Sequence, residues 1–114
     1  MNSVNCVGRL TADPELRQAG DHDLAEMRVA VNHGRDKVVF VGVKAFDAQG
    51  RNAAEYLQKG SLVAITGRLE QDQWTGPEGE RRSSPHYVVA DRIDYLDRRP
   101  APTEPAAEIE AVGF

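Results

Sequence analysis

The chain has 114 residues, 40% hydrophobic and 28% charged, which suits one compact domain with a modest core and leaves little room for a second. No apolar run is long enough to cross a membrane as a helix, and the opening MNSVNCVGRL lacks the basic-then-apolar order of a signal peptide, so a cytoplasmic protein is expected. A net charge of −4 counts against a nucleic-acid binder, which usually carries a basic footprint.

The charge is unevenly placed. Up to Arg99, all 14 Lys and Arg face 15 Asp and Glu, and the remaining acidic residues are Glu104, Glu108 and Glu110. The objection is weakened but not removed.

Five strands are predicted, over residues 3–10, 25–32, 37–46, 61–72 and 86–96, with turn chemistry between them. The first strand holds the lone cysteine, Cys6, which cannot form an internal disulfide and is expected to be a buried, inert thiol. Asp13-Pro14 breaks the chain after it, Gly20-Asp21 precedes the second strand, and His33-Gly34-Arg35-Asp36 makes a tight hairpin into the third.

Side chains alternate between the faces of a strand. On the third strand Val39, Val41, Val43 and Ala45 therefore share one face, read as core, while Phe40, Gly42, Lys44 and Phe46 share the other. Two aromatics and a cation in line supply ring faces for bases and charge for phosphates. A strand buried on both sides, with Lys44 snorkelling outward, is the plainer alternative.

Residues 51–58 read as a helix of about two turns, with Gly60 as a left-handed C-cap. Residues 73–85 are too rich in Gly, Pro and Ser for core and should form an exposed hairpin loop with Trp74 at its base. Residues 98–114 turn to Pro, Ala and Glu, the composition of a disordered tail. His22, His33 and His86 lie far apart without HExxH or CxxC spacing, so no metal site, cofactor or nucleophile–base pair is expected, and no enzyme.

A helix between the third and fourth of five strands is the plan of an OB barrel, whose commonest ligands are oligonucleotides. The fold class is therefore all-β, a five-stranded OB-fold barrel over residues 1–97 with one short helix and a tail.

These segments together resemble the bacterial single-stranded DNA-binding protein family. The matching pieces are Val7-Gly8-Arg9-Leu10 with Asp13-Pro14-Glu15-Leu16-Arg17, then Glu55-Tyr56-Leu57-Gln58-Lys59-Gly60-Ser61, Gly67-Arg68-Leu69 and Trp74-Thr75, in the family's order over roughly residues 4–96. The resemblance implies sequence-independent binding of single strands in replication, recombination or repair, and a homotetramer associated with the nucleoid. It places base stacking on Trp74, Phe46 and Phe40. Candidate phosphate contacts are Arg28, Arg35, Lys37, Lys44, Arg68, Arg81 and Arg82, each of which could equally be a solvated surface charge. First strands paired across a dimer would put residues 4–10 at an interface.

The departures from the family are specific. Its tryptophan at the end of the second strand would fall near Arg35, where no aromatic stands, and Glu70 and Asp72 flank the approach to Trp74 where basic residues are common. Its members end in an acidic tip closing in Pro-Phe that docks on replication and repair proteins; here Glu108, Glu110 and Phe114 keep the acids and the ring, while Gly113 replaces the proline. A plain solvated tail is the alternative for that segment. For the whole chain, the alternative is an OB-fold protein-interaction paralogue with weak DNA binding.

Overall fold

A computed structural model describes residues 1–97. In chain order the elements are β1 (Val4–Leu10), β2 (Glu15–Ala19), β3 (His22–His33), β4 (Lys37–Phe46), α1 (Asp47–Tyr56), β5 (Leu62–Glu70), β6 (Gln73–Thr75), β7 (Arg81–Ser83) and β8 (Tyr87–Tyr95).

Five of these strands close a barrel. The sheet runs β1-β5-β8-β4-β3, and β1 returns to β3 through Arg9↔Ala30 and Leu10↔Val29. Closure depends on Gly8, because a Cβ there would collide with the carbonyl oxygen of Ala30. The β4–β8 pairing is parallel and the others antiparallel, and α1 joins β4 to β5, which is the OB topology expected from the sequence.

The core is aliphatic. Val29, Val43, Val63, Ile65 and Val88 are almost wholly buried, with Leu10, Met27, Ala45, Ala53 and Leu57 packed around them. Burying such side chains stabilises by about 1.5–3 kcal/mol each. No polar or charged residue is buried among the described residues.

Three local features differ from expectation. The second barrel strand begins at His22 rather than residue 25, because residues 15–19 form β2 and pair with its first half around Gly20, whose φ is 65°. The helix begins at Asp47 rather than residue 51. Gly50 lies within it because a Cβ there would strike the carbonyl of Ala45, so this glycine records close packing, not a break. The helix ends at Tyr56, with Leu57 donating to Ala53; Gly60, at φ 93°, belongs instead to the turn closed by Ser61 N–H to Gln58. It is not the C-cap.

The expected loop over residues 73–85 is partly ordered as a two-stranded arm, β6 with β7, and Trp74 sits opposite Arg82. Residues 98–114, with the predicted docking residues Glu108, Glu110 and Phe114, lie outside the described residues.

Candidate nucleic-acid interface

The alternation on β4 governs the site. Val43 and Ala45 point into the core and Val41 is half-buried, while Phe40 and Phe46 are 53% and 37% exposed. Val39 departs from this pattern. It is 50% exposed rather than core, because β3 and β4 run on past the barrel to the turn at Gly34 and, among the described residues, no strand covers their far end.

Neighbouring strands add to the Phe40 face. Arg28 pairs in register with Gly42, and its guanidinium lies 4.9 Å from the centroid of the Phe40 ring. On the other side Tyr87 of β8 pairs with Gly42, and the ammonium of Lys44 stands 4.1 Å from the Tyr87 ring centroid. Arg28, Phe40, Lys44 and Tyr87 thus line one groove of about 510 Å³, completed by Asp72 and residues 84–86 at the root of the β6–β7 arm. Flat rings alternating with cations can stack on bases and meet phosphates.

The lower end of the strip is Phe46. His22 meets its ring edge-on, with centroids 6.4 Å apart, and is held by Asp47, whose carboxylate lies 3.1 Å from Nδ1. Trp74 is 49% exposed on the arm.

The expected phosphate contacts fall into two groups. Among the described residues Arg28, Arg35, Lys37 and Arg81 have no carboxylate within ion-pair distance. Lys44, Arg68 and Arg82 do: Lys44 with Glu26 and Asp72, Arg68 with Glu70 at 2.7 Å and Asp91 at 3.1 Å, Arg82 with Glu80 at 2.9 Å. Val89 of β8 pairs with Lys44 on one side and Arg68 on the other, so these two cations flank the same strand.

Acidic neighbours tune the groups here. Glu26 accepts both nitrogen contacts of Arg17 at 3.2 Å, which holds its carboxyl below the usual carboxylate range. The Tyr87 hydroxyl donates to Asp72 at 2.8 Å, and that bond, with burial and the charge of Asp72, pushes the phenol up to about 12. Cys6 is half-buried rather than fully so, since among the described residues only β5 pairs with the first part of β1; burial still raises its thiol.

Sequence reasoning missed Tyr87 and His22. For Tyr87 a signal existed, since it stands at outward parity just before the buried Val88. Its place beside Lys44 required the parallel pairing of two strands far apart in sequence. His22 was hidden by starting its strand three residues late.

A family model described as the single-strand binding protein family matches residues 1–96. The chain is 38% identical over 104 residues to single-stranded DNA-binding protein 2 of Staphylococcus aureus, covering 85% of this chain and 74% of that protein. It is 38% identical over 109 residues to the single-stranded DNA-binding protein of Wolinella succinogenes, covering 88% and 67%. To that of Clostridium perfringens it is 36% identical over 101 residues, covering 85% and 67%.

Proposed function

The chain belongs to the single-strand binding protein family, and from that premise we propose that it binds single-stranded DNA without reading its sequence, by stacking bases on exposed rings and pairing phosphates with cations. The observation that carries this reading is the line of Phe40 and Lys44 on the outer face of β4, with Arg28 of β3 beside it, in one groove with Tyr87. Stacking on Phe40, Phe46 and Trp74 would supply about 1–3 kcal/mol per base, and every base has a ring face, so sequence would matter little. Family membership does not favour the alternative of a protein-interaction module with weak DNA binding. Nothing in this chemistry requires a catalytic group.

Assembly is part of the proposal. Beyond its pairing with β5, the edge of β1 is unpaired from Val4 to Gly8 among the described residues, and Val7 is exposed. An open edge of this kind pairs readily with a second copy, and a homotetramer built on such dimers would present several grooves to one strand. No described helix is long and apolar enough to cross a membrane; a cytoplasmic, nucleoid-associated role is part of the proposal. The stretch with Glu108, Glu110 and Phe114 enters from the family resemblance alone, as a docking peptide for replication and repair proteins.

The test is a competition between single-stranded and duplex DNA of matched length at several salt concentrations. Single strands should win by orders of magnitude, with affinity falling as salt rises. Equal affinity for the two forms would contradict the reading.

A further inference from the structure

Among the described residues Lys44 is the one groove cation framed by two carboxylates, Glu26 of β3 and Asp72 of the link between β5 and β6. Its side chain is 22% exposed, and its ammonium stands 3.9 Å from Oε2 of Glu26, 3.9 Å from Oδ2 of Asp72 and 4.1 Å from the Tyr87 ring centroid. Both carboxylates are beyond hydrogen-bond distance, whereas an ammonium seated on a phosphate oxygen comes to about 2.7–2.9 Å. The cation is held by charge and not by contact.

The two carboxylates are not equivalent. Both oxygens of Glu26 are engaged by Arg17 at 3.2 Å. Asp72 has one oxygen on the Tyr87 hydroxyl at 2.8 Å and the other facing Lys44. Asp72 is also the root of the arm that carries Trp74: its N–H donates to Ser84 Oγ at 3.0 Å and its carbonyl accepts from Ser84 N–H at 2.9 Å. One residue therefore closes the arm at its base and links it to both β4 and β8.

We infer that Asp72 stands in for a strand phosphate: it neutralises Lys44 in the free protein, and a bound single strand takes its place, releasing the arm from β4 while the Ser84 clamp keeps its base closed. This inference rests on the single-strand binding reading above. Its consequence is a groove with weakened affinity and a shallow salt dependence, because each phosphate gained at Lys44 costs an internal ion pair. The displaced carboxylate must then collect a cation from solution, which offsets the counterion released by the DNA.

The experiment uses the full-length chain and oligo(dT), with Trp74 fluorescence as the readout over a salt series. Asp72→Asn keeps an acceptor for Tyr87 and removes only the charge. It should tighten binding about fivefold at low salt and steepen the slope of log affinity against log salt by about 0.7. Lys44→Gln should abolish both effects when combined with Asp72→Asn. Glu70→Gln is the control, since that carboxylate is held by Arg68 and not by Lys44; its effect should be smaller and the same with or without Lys44. Wild-type binding with an unchanged Asp72→Asn, or a gain that survives Lys44→Gln, would overturn the inference alone. Absence of binding in every variant would overturn it together with the reading on which it rests.

Discussion

The carboxylate of Asp47 lies 3.1 Å from Nδ1 of His22, and Asp47 is also the one non-glycine residue with positive φ, 55°, among those described. The two facts belong together. At this point β4 turns into α1, and a short polar residue can occupy the left-handed region there while its side chain braces the neighbouring strand. Phe46, immediately before it, is still extended, with φ −105° and ψ 150°.

Replacing Asp47 with valine should therefore destabilise the fold by about 1–3 kcal/mol, since a β-branched side chain is strained at this φ. Asp47→Gly should be much milder, because glycine adopts the same backbone freely. Urea denaturation of the two variants checks this; equal losses would show that the turn imposes no strain.

The Arg17–Glu26 pair gives stability a defined pH dependence. A carboxyl held below its unfolded value, near 4.3, contributes above that pH, and the contribution fades as pH falls through the lowered value. Arg17→Met should lower the melting temperature at pH 7, and the difference from wild type should shrink towards pH 3. A difference that stayed constant across this range would assign the effect to packing.

Tyr87 makes the opposite prediction at alkaline pH. Its phenol is raised to about 12, first by the bond to Asp72, so the stability it adds is complete below the ordinary tyrosine value near 10 and is lost as pH climbs towards 12. In an absorbance titration Tyr87 should ionise in a late transition, towards pH 12. Asp72→Asn should bring the late transition down, and Tyr87→Phe should remove it. A late transition that persists in Tyr87→Phe would belong to Tyr95, whose burial also raises it.

Much of the site was readable from period-two alternation, because a strand with one buried face commits alternate residues to opposite sides. That placed Val43 and Ala45 inside and Phe40 and Phe46 outside. The rule misplaced Val39, since alternation says which way a side chain points and not whether anything covers it. β2 went unread for a related reason: four of its five residues are exposed, so no apolar alternation marks it, and only backbone pairing with β3 defines it. Spacing starts the helix at residue 51, past Gly50, because it carries no record of the Ala45 carbonyl packed behind that glycine. Tyr87 beside Lys44 needed the β4–β8 register, which the chain does not announce locally.

The most direct measurement of the central claim follows the fluorescence of the chain's single tryptophan, Trp74, during titration with oligo(dT), in wild type and in Phe40→Ala and Phe46→Ala. If single strands stack along this face, wild-type emission should quench to saturation. Each variant should fold normally and bind more weakly by about 1–3 kcal/mol, roughly five-fold to a hundred-fold in affinity. Unquenched Trp74 at saturating oligo(dT), or full wild-type affinity in both phenylalanine variants, would contradict stacking on this face.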